Sequence, residues 1–383
     1  MGTAQPKPKP FRSYPQQANF EMRNKDLTPS SQRNRKMTFV LSDPISQQSL
    51  KAILEDKPVT VSGCVLPGQD LTNTGPKTCQ DNYSFVIYGN TLLLLLFDGH
   101  GPTGHLIAEH CIDFFTRYFY KNFKDFLYDT QNAFRDMFVG CDESMKGGDI
   151  DCFLSGSTCV AVLVTASQLF CASAGDSRAV LVSGEYKELS NCVQLTTDQK
   201  PNNRNEYQRI VAAGGEVRRY TNEGGLKRGP FRIWKPESNL PGLAMSRSLG
   251  DFLAKSVGAI PAPLYMFTEL QSRDKFIVIA SDGVWDVMSN QRVADFVLKH
   301  YESCSLEPSK DYPASNGNST ISRLLCEHAR SRWFEAESIE RSSVDDISAI
   351  VVGISELKAK FRDRTLRFNC TMNDYEYEGE DIE

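Results

Sequence analysis

The chain has 383 residues, 40% of them apolar and 24% charged, with a net charge of −5. At about 150 residues per domain this is one large domain with tails or two domains, and the apolar share is enough for a large soluble core. The acidic balance argues against general nucleic-acid binding, the N-terminal stretch lacks an apolar signal core, and the longest apolar run, 92–97, is too short to span a bilayer.

In chain order, residues 1–57 are predicted to form a basic, largely disordered arm. The first 36 hold eight Lys/Arg against two acids, with five Pro and four Gln and no apolar periodicity. Gly2 follows Met1, as N-myristoylation requires, but Pro6 stands where Ser or Thr is favoured. Membrane attachment is therefore expected only if Gly2 is acylated. Residues 58–356 have the texture of one folded domain. Segments 85–88 and 92–97 read as a hairpin around Gly89-Asn90, and 160–165 with 169–174 as another. Segments 179–182 and 186–189 flank Ser183-Gly184. Segments 276–280 and 347–353 read as buried strands. Strands joined by such short turns must be antiparallel.

Helical patterns lie between the strands. Segment 104–126 carries Leu106, Ile107, His110, Phe114, Tyr118 and Phe119 on one side, and 134–145, 206–213, 291–300 and 319–334 are helix-like. The Gly/Pro-rich stretch 222–242 reads as a surface loop beside the site. Residues 357–383 form a C-terminal extension whose last thirteen residues hold six acids and no Lys or Arg. Antiparallel strand pairs with intervening helices point to an α+β layered sandwich. Eleven cysteines without a CxxC pair are expected to be mostly reduced and buried, which suggests an intracellular protein, cytoplasmic and/or nuclear.

Several strand candidates end at aspartate. LLLLLF runs into Asp98-Gly99-His100, LFCASAG into Asp176-Ser177-Arg178, FIVIAS into Asp282-Gly283-Val284-Trp285-Asp286, and Asp345-Asp346 opens ISAIVVG. One such aspartate is an ordinary turn former. If the four strand ends converge, the carboxylates cannot all stay ionised without protonation or bound cations. Oxygen donors with no nearby Cys or His pair favour Mg²⁺ or Mn²⁺. Two such cations activate water and clamp phosphoryl oxygens, so phosphoester hydrolysis is the expected chemistry.

These segments resemble the protein phosphatase type 2C family of metal-dependent Ser/Thr phosphatases. The matching stretches are FDGHGPTG (97–104), SGSTCVAVLV (155–164), AGDSRAVL (174–181), TTDQKP (196–201), RIVAAGGEV (209–217), PGLAMSRSLGD (241–251), IASDGVWDVM (279–288) and DDISAIVV (345–352). The resemblance implies a central antiparallel β-sandwich flanked by helices in four α-β-β-α layers, with 58–356 as the catalytic domain. It implies hydrolysis of phosphoserine and phosphothreonine in phosphoproteins by in-line attack of a water or hydroxide shared by two Mg²⁺ or Mn²⁺ ions. By resemblance, Asp98 bridges both metals, the Gly99 carbonyl reaches one, and Asp282 and Asp345 complete the other. Asp176 and Asp286 resemble a weaker third site. His100 resembles the general acid for the departing Ser or Thr oxygen.

The chain departs from the family at two places. Gln80-Asp81 stands where an acidic pair is common, so Gln80 would ligate without charge and Asp81 would carry more of the load. Pro76, with Lys77 beside it, stands where many relatives place a phosphate-binding Arg, which leaves Lys77 as the substrate-binding cation. His105 and His110 read as helix residues. His110-Cys111…Arg117 matches the HCx5R pattern of cysteine phosphatases, but its bulky, acidic, helix-periodic filling argues against a phosphate cradle, and Cys111 is expected on a helix. Arg178 and Arg247 are expected to pair with carboxylates of the site, Thr158 to lie under it, Asp251 to anchor it, and Trp285 to be core. The expected protein is a monomer acting on phosphoproteins and not on nucleic acid. The alternatives are a non-catalytic phosphoprotein-binding scaffold, whose signature would be lost metal-ligand aspartates, and a nuclease, which the acidic charge disfavours.

Overall fold

The computed structural model describes residues 61–70, 77–88, 91–165, 167–185, 191–222, 224–301, 320–335 and 343–354. The basic arm, the acidic tail, Gly2, Pro76 and the expected strand 186–189 lie outside the described residues. In chain order the elements are β1 (Val61–Leu66), β2 (Gln69–Asp70), β3 (Asp81–Tyr88), β4 (Thr91–His100), α1 (Gly104–Lys121), α2 (Phe123–Tyr128) and α3 (Thr130–Ser144). Next come β5 (Gly156–Ser157), β6 (Cys159–Val164), β7 (Gln168–Ala174), β8 (Arg178–Ser183), β9 (Asn191–Gln194) and α4 (Arg204–Ala212). Then follow β10 (Glu216–Thr221), β11 (Lys227–Trp234), β12 (Pro241–Leu243), β13 (Leu249–Gly250), α5 (Phe252–Lys255), β14 (Leu264–Glu269) and β15 (Asp274–Ala280). The chain closes with α6 (Asp282–Trp285), α7 (Asn290–His300), α8 (Ile321–Glu335), β16 (Ser343–Val344) and β17 (Ile347–Gly353).

Two antiparallel sheets dominate. One has the order β1-β17-β15-β8-β9; the other runs β13-β5-β4-β6-β7-β14, with β3 added beside β4. Period-two alternation sorts their side chains into layers. Leu92, Leu94 and Leu96 of β4 meet Val160 and Val162 of β6 and Ile277, Ile279, Ile350 and Val352 of the opposite sheet, forming a dry core between the sheets. The intervening Leu93, Leu95 and Phe97 point the other way, onto Ile107, Cys111, Phe115 and Phe119 of α1 and onto Phe134 and Phe138 of α3. On the far side, Val278, Ala280 and Val351 pack against Val293 and Val297 of α7 and Leu325 and Ala329 of α8. These are the four α-β-β-α layers expected from the sequence, and they explain why LLLLLF is uninterrupted: both of its faces are buried.

Three local expectations change. The core-facing stripe of α1 is Ile107, Cys111, Phe115 and Phe119, whereas Leu106 is 36% exposed. Phe114 and Tyr118, stacked 5.9 Å apart, pack along the flank. The predicted helix 104–126 also breaks at Asn122 into α1 and α2. The expected segment 186–189 beside β8 lies outside the described residues, among which β8 pairs with β9, at 191–194. The stretch 222–242, expected as a loop, contains most of a three-stranded sheet, β10-β11-β12. Its alternation is broken because Arg219 falls on the face of Val217 and Ile233, Trp234 falls on the face of Arg218 and Arg232, and a register shift lies between Arg219 and Tyr220.

Candidate active site

The strand register brings the aspartates to one end of the sandwich. Asp81 begins β3 and lies opposite Asp98 of β4. In the other sheet, Ala280 at the end of β15 pairs with Ala349 near the start of β17 and with Arg178 at the start of β8. Asp282 therefore follows β15 at the same end where Asp345 and Asp346 precede β17. The connection from β7 to β8 crosses between the sheets, and its tight turn carries Asp176. Thr158 joins the halves: its Oγ1 accepts from the Asp98 amide at 3.1 Å and meets Ser177 Oγ at 2.6 Å. Gly99 is required here, because a Cβ would strike the Gly104 carbonyl at the start of α1.

The electrostatics show what this crowding costs. Burial raises the pKa of Asp98, and the charges of Asp81, Asp282 and Asp345 raise it further. Burial likewise raises Asp282, with Asp176, Asp345 and Asp286 adding to it. Asp81 rises through burial and the charge of Asp346. Buried Asp176 accepts the Lys200 ammonium at Oδ2, while its Oδ1 has no hydrogen-bond partner among the described residues. Burial works to lower Lys200, but Asp176 outweighs it and the net shift is upward. Among the described residues, no group of three or more His, Cys, Asp or Glu side chains is drawn together as a ready metal cage. The carboxylates act on one another as charges, and their oxygen-only chemistry with one orphaned buried oxygen fits a hard divalent cation.

The remaining predicted residues fall as follows. His100 Nε2 meets Asp251 Oδ2 at 2.7 Å, and its buried Nδ1 has no partner among the described residues. Burial works against a charged His100, but Asp251 prevails and its pKa is raised. Gln80 gives its amide Nε2 to the Gly101 carbonyl at 2.6 Å and its backbone N–H to Asp346 at 2.8 Å. Lys77 Nζ lies 3.1 Å from Asp345 and 3.6 Å from Asp346, so it already neutralises carboxylates of the centre. Asp286 is exposed, one turn beyond Asp282 on α6.

Arg178 and Arg247 pair elsewhere than expected. Arg178 holds Asp198 at 2.6 Å, and Arg247 forks onto Glu206 at 2.7 Å, neither of them among the convergent aspartates. Trp285 is 8% exposed and gives its Nε1 to the Ala280 carbonyl, closing the start of α6. Sequence reasoning missed Lys200, which sits in the quoted TTDQKP stretch, and the structural part of Asp346. Asp346 is 3% exposed and accepts from the amides of Gly68 and Gln80 at 2.5 and 2.8 Å. The doubled aspartate was the available signal: one is for the site and one for the loops around it.

A four-layer sandwich with carboxylates gathered at one end of both sheets defines the fold class. Residues 93–333 match the protein phosphatase 2C family, and the chain belongs to that family. It is similar to probable protein phosphatase 2C 64 of Oryza sativa subsp. japonica, 35% identical over 277 residues, covering 70% of this chain and 60% of that protein. It is also similar to probable protein phosphatase 2C 52 of Arabidopsis thaliana, 36% identical over 237 residues, covering 53% and 50%. The chain thus spans between half and two thirds of the length of these relatives. The fold is shared with the serine-threonine phosphatase 2C of Toxoplasma gondii (TM-score 0.60, 19% identity, 76% and 94% covered) and a C. elegans sex determining protein (0.59, 20%, 80% and 67%). Among the described residues, no helix is long and apolar enough to cross a membrane.

Proposed function

We propose that this chain hydrolyses phosphoserine and phosphothreonine in phosphoproteins. The observation that carries the reading is the gathering of Asp81, Asp98, Asp176, Asp282 and Asp345 at one end of both sheets, where burial and the neighbouring charges raise the pKa of Asp98 and Asp282. Asp98, the Gly99 carbonyl, Asp282 and Asp345 would hold two Mg²⁺ or Mn²⁺ ions with Asp81 and Gln80, and Asp176 and Asp286 a weaker third. When bound, such ions neutralise the carboxylates, activate water and polarise the phosphoryl group.

The chain's own residues supply the rest. Asp251 keeps a proton on His100 Nε2 and favours the charged imidazole, so the buried Nδ1 has a proton to give to the departing Ser or Thr oxygen. Lys77 and Lys200 reduce the net charge that a phosphate must approach. Lys77 would have to leave Asp345 to bind substrate, which favours a charge-balancing role over a phosphate clamp.

The test is hydrolysis of a phosphothreonine peptide with Mn²⁺, Mg²⁺ or EDTA. Activity that needs the metal and disappears in Asp98→Ala supports the reading. A folded wild type that binds the peptide but turns over under no metal overturns it in favour of a phosphoprotein-binding scaffold. The Gln80 amide engaged by Gly101 and the Lys77 ammonium on Asp345 would then be the disabling features.

A further inference from the structure

We propose that the outer face of the β10-β11-β12 sheet is a subsite for an anionic side chain flanking the phosphorylated residue, which makes acidic phosphoprotein segments the preferred substrate class. This inference rests on the phosphatase reading above. The sheet has two unlike faces. Val217 and Ile233 point inward, with Ile210 of α4, Leu243 and Met245, into a small separate core. Arg218 and Arg232, opposite each other in register, therefore lie on the outward face. There a groove of about 430 Å³ is lined by Tyr220, Arg228, Arg232, Trp234 and Asn239, with no carboxylate in its lining.

Charge and rigidity both suit an anion. Residues 216–243 hold six Lys/Arg against three Glu, in a chain whose net charge is −5. Trp234 is 4% exposed, donates Nε1 to the Arg218 carbonyl at 2.8 Å and carries the Arg218 guanidinium 4.4 Å above its ring. Gly242, at φ 72, passes so close to this ring that a Cβ would collide with it. The Gly242 carbonyl accepts Arg232 Nη1 at 2.6 Å. One carbonyl takes one donor of a five-donor fork, so Arg232 is aimed but not used up. The sheet is tied to the candidate active site: three residues after β12 the Ser246 N–H donates to the Gln199 carbonyl at 2.8 Å, and the Gln199 N–H donates to the carbonyl of Gly175, next to Asp176, at 3.0 Å. The charge of Asp176 also acts on Arg232, partly offsetting the lowering by burial. A planar guanidinium held in place matches carboxylate or phosphate oxygens, and exposed Tyr220 beside it offers a wall for the peptide.

The test uses phosphothreonine peptides identical except for residues flanking the phosphothreonine: alanines, glutamates, or one alanine replaced by phosphoserine. Two readouts are taken on the full chain: kcat/KM with Mn²⁺, and fluorescence anisotropy in EDTA. Glutamate peptides are expected to exceed alanine peptides by about five- to tenfold, as two partly exposed charge pairs allow. The margin should shrink in high salt and approach one in Arg228→Glu. Arg232→Lys, which keeps the charge and loses the fork, should retain part of it. Preference for phosphoserine over glutamate would name a second phosphate as the anion. Because each preference is a ratio within one protein, a variant that folds poorly loses both peptides together and is recognised by its circular dichroism. Equal handling of all peptides by wild type overturns the proposal. So does an unchanged preference in Arg228→Glu, or displacement of the acidic peptide by an oligonucleotide at equal concentration. A wild type that turns over no peptide defeats the phosphatase reading, while the anisotropy still decides whether the groove selects acidic chains.

Discussion

Glu206 and the aspartates around Asp98 are acidic groups inside the same fold, but they are treated in opposite ways. Glu206, 2% exposed, receives the Arg247 fork at 2.7–3.2 Å, Arg209 at 2.8 Å and Ser246 Oγ at 2.5 Å. Burial works against its charge, but the two arginines prevail and bring its pKa down to about 2. The aspartates of the centre act on one another as like charges, and burial with those charges raises the pKa of Asp81, Asp98 and Asp282. A closed network of this kind serves the fold; an open cluster of like charges costs stability and persists only where a bound species compensates.

The strongest way to break this comparison is Asp98→Asn. It should remove at least about a thousandfold of kcat/KM, since it takes charge from the group proposed to hold both cations. In EDTA it should stabilise the protein by ~1–2 kcal/mol, because one of the mutually repelling charges is gone. Turnover and thermal unfolding in EDTA read the two effects, and a variant that is less stable in EDTA would mean the cluster is not frustrated. Arg247→Met is the converse. It leaves a buried carboxylate with one arginine, and urea unfolding should show a loss of about 3 kcal/mol. Activity per folded molecule should change far less.

The pH dependence of stability sharpens the contrast. Glu206 is lowered in the folded state, so its contribution is complete above the unfolded pKa near 4.3 and is lost as pH falls toward about 2. About two pKa units correspond to ~3 kcal/mol. Asp81, Asp98 and Asp282 are raised, chiefly by burial, so with EDTA present their effect has the opposite sign. Stability is fully present below their unfolded pKa near 3.9 and is lost as pH rises through the higher folded values. Urea midpoints in EDTA should therefore peak in mildly acid solution. Asp98→Asn should flatten the alkaline limb and Glu206→Gln the acid limb. A single plateau from acid to neutral pH would show that the two regions do not differ as described.

The same two regions mark how far the sequence could be read. The centre was legible because buried strands must end somewhere, and aspartates at four such ends leave a signal of order and spacing. The sandwich was legible because LLLLLF and IVVG have no polar face to expose. The Glu206 network was not legible: its partners are 3 and 41 residues away along the chain, and nothing local marks Arg247 as belonging to Glu206 rather than to an aspartate of the centre. The three-stranded sheet was missed for a related reason. An arginine, Arg219, stands on the apolar face and a tryptophan, Trp234, on the charged one, so the alternation that identifies a strand is broken on both faces.

The smallest expected effect concerns residues that imitate a second site. His110, Cys111 and Arg117 have the spacing of a cysteine phosphatase loop. Cys111, however, is fully buried on the core side of α1 with its sulfur 3.6 Å from that of Cys141. Arg117 projects into solvent, 74% exposed, and pairs with Asp113 one turn back. A thiol facing the sheet and an arginine facing water cannot share a phosphate, and continuous helix between them leaves no loop amides to surround one. Arg117→Ala should therefore leave kcat/KM unchanged and shift stability by no more than about 0.5 kcal/mol, the range of an exposed i,i+4 pair. Cys111→Ser should keep its turnover per folded molecule while losing about 1–2 kcal/mol for placing a hydroxyl among Phe97, Phe115 and Phe138. If Cys111→Ser instead abolished hydrolysis while remaining folded, the chemistry would belong to the helix and not to the aspartates at the sheet ends.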